Sequence, residues 1–179
     1  MQKEKLKIVH YVNQFFGQIG GEDKSEVGFS LEKKPVGPGI AVQNELGDTG
    51  EIVATLICGD NYFVGDLDKH AEEGLKMIEE FEPDIFIAGP AFNAGRYGLA
   101  CGAMCKAVSE KLHIPVLSGM NKENPGVDLY QKDAYIVKTS DNVKEIVSVI
   151  KNILKLTYAL LENKHNPELV NRDPIQSPY

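Results

Sequence analysis

The sequence contains no tryptophan, only three cysteines, and no apolar run that approaches the ~20 residues needed to span a bilayer. A small, odd number of cysteines does not suggest a disulfide framework, so we predict that Cys58, Cys101 and Cys105 are reduced thiols. The residues after Met1 are polar or charged and lack the apolar core of a secretory signal. We therefore expect a soluble protein of the cytoplasm.

Positive charge is also scarce. The 179 residues include 19 Lys and Arg against 26 Asp and Glu, which gives a net charge of −7. Nucleic acids and anionic membranes are bound through basic patches, so this balance argues against both as partners. It is still compatible with a local positive pocket for a small anion.

Several cofactor and catalytic motifs are missing. No G-x-G-x-x-G follows the first predicted strand and no G-x-x-x-x-G-K-[ST] occurs, which disfavours a dinucleotide or flavin cofactor. The four His and three Cys show no metal-ligand spacing, so we expect no metal site. There is no nucleophile elbow and no Ser-His-Asp order. Asp60 and Glu123 are the acids best placed for proton transfer.

What the chain does have is an alternation of apolar, strand-length runs with helical patterns. Strands without polar alternation, separated by helices, indicate a parallel sheet covered on both faces. We predict strands over residues 6–12, 51–58, 84–88, 115–119 and 134–139. We predict helices over residues 40–46, 66–81, 93–112 and 141–162, the last capped by Ser140.

These elements predict one α/β domain over residues 1–163. We expect a three-layer, doubly wound fold, Rossmann-like or flavodoxin-like, with a mainly parallel sheet of about five strands. Residues 17–39 are predicted to be irregular, and a stretch of that length without secondary structure is usually functional or disordered. Residues 164–179 form a polar C-terminal tail.

Ligands of open α/β sheets bind beyond the carboxyl ends of the strands, and the unusual residues of this chain fall there. The loop after the third predicted strand is the most informative. Asn93 can cap the following helix, and Arg96 lies in its first turn, an arrangement suited to a carboxylate or phosphate. The alternative is that Asn93 is only a cap and Arg96 only a surface charge.

Cys101 and Cys105 are four residues apart and share one face of that helix. They are either a redox pair or small apolar residues that pack the helix on the sheet. The small neighbours Gly98, Ala100 and Gly102 favour packing, since unpaired cysteine is commonly buried.

Long stretches of the loops resemble a known family. They are HYVNQFFGQIGGE at 10–22, PVGPG at 35–39, CGDNYF at 58–63, and the stretches 88–98 and 124–130. In this order they resemble the N-terminal half of the selenoprotein subunit of component B in glycine, sarcosine and betaine reductases. The resemblance covers roughly residues 6–160. Several long motifs in order are far more specific than one glycine pattern.

The resemblance implies a role in anaerobic amino-acid reduction. In that family a partner subunit carries a pyruvoyl group when the substrate has a free amine, and a selenocysteine of component B displaces the amine. The carboxymethyl group then passes to the component A selenoprotein and is released as acetyl phosphate by component C. The implied partners are therefore the pyruvoyl subunit, component A and a small amino acid, with no cofactor on this chain.

The sequence departs from the family in one large respect. The selenocysteine lies in the second half of the family's subunit, which this sequence lacks, and no cysteine here occupies that position. The chain is thus expected to be a half-length paralogue, one piece of a split subunit, or a truncated form. The missing half would be a further partner, and the chain could also associate with copies of itself. The chain alone is not expected to complete the reaction.

Three functions stay open. The first is a reductase-complex subunit or domain that helps bind a small amino acid for reductive C–N cleavage. The second is a non-catalytic module for small carboxylates that diverged from this family, and the third is a thiol oxidoreductase using Cys101 and Cys105. The residues predicted to bind the substrate are Gln14, Asn61, Tyr62, Asn93, Arg96, Tyr97 and Asn124, with Tyr130 closing the pocket or meeting a partner.

Overall fold

A computed structural model describes residues 4–162 of the chain. These residues form an α/β fold with a six-stranded, mostly parallel sheet and helices on both faces. The predicted doubly wound class is confirmed. The predicted tail, residues 164–179, lies outside the described residues.

The sheet has the strand order β2-β3-β1-β4-β5-β6, so the chain starts near the middle and builds outward in both directions. The strands are β1 Leu6–Asn13, β2 Ser30–Glu32, β3 Gly50–Cys58, β4 Ile85–Phe92, β5 Val116–Asn121 and β6 Tyr135–Thr139. Five of them are parallel, and β2 pairs antiparallel with β3 at one edge. The strand order therefore reverses between β1 and β4, where such sheets open a crevice.

In the described part of the chain, six α-helices complete the layers. They are α1 Pro38–Leu46, α2 Asp60–Val64, α3 Leu67–Ile78, α4 Gly95–Leu112, α5 Pro125–Tyr130 and α6 Ile146–Glu162. Helices α1 and α6 contact each other on one face, while α2, α3 and α5 contact α4 on the other. Each face has its own apolar core, because the central strands bury both of their sides.

Four local predictions differ from the structure. Strand β2 and the 3-10 turn Glu22–Lys24 lie in the stretch predicted to be irregular, and α2 and α5 were not predicted. Asn93 does not cap α4: the N-cap position is Ala94 and has no side-chain hydrogen bond, so that prediction was wrong. Ser140 does not cap α6 either, because the 3-10 turn Val143–Glu145 comes first and Asn142 caps that turn.

Candidate functional site

A crevice of about 440 Å³ opens at the carboxyl ends of β1 and β4. This is the point at which the strand order reverses, the usual ligand position in an open α/β sheet. The loop after β1 forms one wall, the end of β4 and the start of α4 form the other, and the turn after β6 reaches the rim. The lining residues are 13–16, 21, 22, 60, 91–94, 96, 141 and 143.

Arg96 holds a carboxylate at the mouth of this crevice. Its Nη1 and Nη2 donate to Oε1 and Oε2 of Glu22 at 2.8 and 2.7 Å, a parallel two-point arrangement. Nη1 also donates to the side-chain oxygen of Asn61. The hydrogen bond from Arg96 lowers the pKa of the Glu22 carboxyl and raises that of the guanidinium. The guanidinium is thus oriented for a planar, two-oxygen anion.

Asp60 lies deeper in the crevice and is only 6% exposed. Its Oδ2 accepts a hydrogen bond from Nδ2 of Asn13 at 3.0 Å, and its backbone N–H donates to Oε1 of Gln14 at 3.0 Å. Its Oδ1 is buried and has no hydrogen-bond partner among the described residues. Burial raises the pKa of this carboxyl, although the Asn13 hydrogen bond and the charge of Arg96 oppose the shift.

Two buried tyrosines stand behind Asp60. The ring centroids of Tyr11 and Tyr97 are 6.2 Å apart, and within residues 4–162 neither hydroxyl has a partner in hydrogen-bond geometry. Burial raises the pKa of both phenols well above the usual range, and the nearby Asp60 carboxylate adds to the shift. The Asn13 backbone opposes the shift at Tyr97. Both tyrosines are therefore neutral.

The wall formed by β4 contains a strained residue. Phe92 has φ +50°, in the left-handed region that bulky side chains avoid. Buried Asn124 holds this segment, because its Nδ2 donates to the backbone oxygens of Phe92 and Ala94 at 2.9 and 3.1 Å. Such strain persists where the surroundings impose it, and it is concentrated at functional sites.

The predicted binding residues fall into three groups. Gln14, Asn93 and Arg96 line the crevice. Asn61 does not line the crevice but accepts a hydrogen bond from Arg96, and Tyr97 is buried beneath the crevice.

The remaining two predicted binding residues, Tyr62 and Asn124, do not line the crevice. Tyr62 stacks on His70 with ring centroids 4.3 Å apart, and its hydroxyl donates to Glu73. Asn124 is fully buried and caps α5, so its described contacts are structural. Tyr130 packs against α4 at Gly102.

Sequence reasoning missed Glu22, Asn13 and Tyr11 as parts of this site. Glu22 is 74 residues from Arg96, inside the stretch predicted to be irregular, so only the fold could bring them together. Asn13 is the polar last residue of β1 and follows an apolar run. That switch from apolar to polar at the strand end was the sequence signal that could have identified it. Of the two acids predicted for proton transfer, Asp60 lies in the crevice, whereas Glu123 is exposed and does not line it.

Cys101 and Cys105 are fully buried in the core between the sheet and α4. Burial raises the pKa of both thiols, and the Cys105 Sγ donates to the backbone oxygen of Leu117. Burial also raises the pKa of Cys58, to about 12. Because the thiolate is the reactive form, these surroundings disfavour thiol chemistry.

A larger cavity, about 800 Å³, lies at the opposite edge of the sheet, near the amino end of β1. Some of its polar groups pair with each other: Lys7 with Glu82, and Thr49 with the hydroxyl of Tyr158. It contains none of the buried, unpartnered polar atoms found beside the crevice. The crevice is therefore the better candidate site.

Within residues 4–162 no group of three or more His, Cys, Asp and Glu side chains is placed to hold a metal ion. Over the same residues, no helix combines the length and the apolar character that crossing a bilayer requires.

The fold defines an α/β protein with a crevice at the point where its strand order reverses. Comparison with known proteins is more specific: residues 5–171 match the family described as glycine/sarcosine/betaine reductase selenoprotein B. The chain belongs to this family, and the resemblance seen in its loops is confirmed. No solved structure matches it.

Individual relatives agree with this assignment. The chain is 48% identical over 153 residues to the sarcosine reductase complex component B subunit beta of Peptoclostridium acidaminophilum, covering 86% of this chain and 35% of that protein. It is 46% identical over 160 residues to the glycine reductase complex component B subunit gamma of Carboxydothermus hydrogenoformans, covering 89% and 37%. The P. acidaminophilum betaine reductase complex component B subunit beta is 43% identical over 136 residues, covering 76% and 31%. The chain thus spans about a third of the length of these relatives.

Proposed function

We propose that this chain binds the carboxylate end of a small amino acid within a glycine/sarcosine/betaine reductase-type complex. The bound amino acid would be positioned for reductive cleavage of its C–N bond. Groups outside the crevice described here would carry out that cleavage.

The observation that supports this proposal is the two-point pairing of Arg96 with the Glu22 carboxylate. Arg96 is the only basic residue among the described residues that line the crevice. It lies in the first turn of α4, so the free N–H groups of that turn add to the positive potential. An incoming carboxylate would replace Glu22, which is exposed and sits on a short 3-10 turn.

The proposed partners follow from the family. A pyruvoyl group and a selenocysteine would be supplied by other chains: a pyruvoyl subunit, the component A selenoprotein and, if it is separate, the missing second half. The relatives are named as subunits of sarcosine, glycine and betaine reductase complexes, which supports assembly into a complex of this kind. We propose the cytoplasm as the place of assembly.

The test is titration of the isotopically labelled 179-residue chain with glycine, followed by NMR chemical shifts. Glycine should shift the signals of residues around the crevice, and Arg96→Gln should weaken binding about tenfold or more, since charge-assisted hydrogen bonds are lost. Lys76→Gln is the matched control, because Lys76 pairs with Glu72 on the exposed side of α3 and should leave binding unchanged. Equal glycine binding by wild type and Arg96→Gln would refute the proposal.

A second candidate is a non-catalytic module for small carboxylates, and it is favoured by the same Arg96 geometry. Reconstitution separates the two functions. If the chain binds glycine but never supports turnover when the other reductase components are added, the module is the better description. Turnover that is lost with Arg96→Gln favours the reductase subunit.

A further inference from the structure

The β4 wall of the crevice is built on a bulge in that strand. The register on either side of the bulge is Ala88 with Ser118 and Phe92 with Met120. Residues 89–91 of β4 therefore lie opposite Gly119 of β5 alone, and extra residues of this kind interrupt the ladder and bend the strand. Residues 91–94 line the crevice, and Arg96 follows in the first turn of α4. The place of Arg96 thus depends on the course of the bulge.

His10 of β1 holds the middle of the bulge. Its Nε2 lies 2.7 Å from the backbone oxygen of Gly89, and a carbonyl oxygen only accepts, so Nε2 carries the hydrogen. The ring is fully buried, and its Nδ1 has no partner among the described residues. Burial lowers the pKa of His10 to about 4, although the Gly89 bond opposes the shift, so the ring is neutral at pH 7. An apolar side chain would be less costly to bury here, which indicates that the bond to Gly89 is what the histidine supplies.

Two further side chains hold the ends of the bulge. Oγ of Ser118 on β5 donates to the backbone oxygen of Ala88 at 2.7 Å. Nδ2 of Asn124, at the start of α5, donates to the oxygens of Phe92 and Ala94 at 2.9 and 3.1 Å. Both side chains are fully buried. Donors on β1, β5 and α5 thus fix this stretch of backbone from three directions, which is the kind of support that a precisely placed binding group needs.

We infer that His10 and Ser118 are positioning residues of the crevice, which hold the β4 bulge so that Arg96 is presented to the ligand. This inference rests on the proposed function for the role of Arg96. Neither residue lines the crevice, so both act through the backbone. Loss of either donor leaves a buried carbonyl oxygen unpaired unless the bulge shifts, and a shift of the bulge carries Ala94 and the first turn of α4 with it.

The experiment compares variants of the isotopically labelled 179-residue chain by NMR, with and without glycine. His10→Leu and Ser118→Ala each remove one donor with little change in side-chain size. Both should shift the Nε–H signal of Arg96 in the free protein. Both should also weaken glycine binding about threefold to tenfold, the range set by the free energy of one hydrogen bond. His10→Gln keeps an N–H donor on a side chain of similar reach and should restore most of the affinity.

Thr55→Val is the matched control. Thr55 pairs with His10 across β3 and β1, is equally buried, and donates to the backbone oxygen of Lys34, which does not line the crevice. This variant should lower the melting temperature but leave both the glycine affinity and the Arg96 signal unchanged.

The outcomes separate this inference from the proposed function. Wild-type glycine affinity in folded His10→Leu and Ser118→Ala would overturn the inference, and so would an equal loss in Thr55→Val or in His10→Gln. If His10→Leu does not fold, Ser118→Ala decides. If the wild-type chain does not bind glycine, the proposed function fails, and the Arg96 signal then decides the inference: an unchanged signal in the two donor-deletion variants would refute it.

Discussion

At the scale of single residues, Arg96 and Glu22 are the most informative pair. The Arg96 side chain is 40% exposed and the Glu22 side chain 69% exposed, so water can reach both and the pair can open. Exposed ion pairs contribute little to stability, because water screens the charges and both long side chains lose freedom. A carboxylate ligand that contacts further groups in the crevice can therefore displace Glu22 at small cost.

This displacement leads to a prediction for Glu22→Gln. The amide is a weaker partner for Arg96 than the carboxylate, so carboxylates should bind about twofold to fivefold more tightly, in line with the energy of an exposed pair. Titration with acetate measures the change. Asp23→Asn removes a charge from the same 3-10 turn and is the control. Weaker acetate binding by Glu22→Gln would show that Glu22 supports the site instead of competing for it.

The sequence allowed Arg96 to be predicted but not its partner. Its place after a buried strand and in the first turn of a helix was visible from periodicity alone. Glu22 and Tyr11 were not predictable in this way, because their roles depend on contacts between distant parts of the chain. Tyr11, in particular, lies in the interior of a strand and looks like an ordinary core residue.

At the scale of elements, the sequence predicted what is long and periodic. The five parallel strands followed from their apolar runs, and α3 and α6 from helical spacing. The missed elements are short: β2 has 3 residues, α2 has 5 and α5 has 6. Segments of this length do not complete two turns or a clear alternation, so tertiary contacts decide their structure.

Helix α5 matters because it packs tightly on α4 and holds the crevice wall. A Cβ at Gly102 would overlap the ring of Tyr130 and approach the Tyr130 Cβ to 2.8 Å, and a Cβ at Gly98 would overlap the amide of Asn124. The two glycines are one helical turn apart on α4. They form the surface on which α5 rests, so α4, α5 and the wall at Phe92 are mechanically coupled.

We predict that Gly102→Ala lowers the free energy of unfolding by about 1–2 kcal/mol, since overpacking costs more than the gain in helix propensity. Urea denaturation followed by circular dichroism measures the change. Gly95→Ala is the matched control on the same helix, because its nearest new neighbour would be Pro125 at an ordinary 3.5 Å. Equal stability of Gly102→Ala and wild type would mean that α5 is not seated on α4 as described.

At the scale of the whole molecule, the two cores differ in chemistry. All three cysteines lie in the core that α4 shares with the sheet, and none lies in the core formed by α1 and α6. Their exposure is at most 1%. A thiol reagent can therefore reach them only when the α4 layer separates from the sheet, which in a fold with this central sheet amounts to global unfolding.

This burial predicts how the thiols react. In the native protein a disulfide-exchange reagent should modify none of the three cysteines on the time scale that labels a free thiol, because each is buried and protonated. Labelling should accelerate with urea in parallel with unfolding. The Lys111→Cys variant places an exposed thiol on α4, and that thiol should label at once. Two results would contradict this prediction: Cys101 or Cys105 reacting as fast as the thiol introduced by Lys111→Cys, or mild oxidation linking the two in the folded chain. Either result would mean that α4 opens in the native state. Thiol oxidoreductase chemistry would then be the better explanation of the pair.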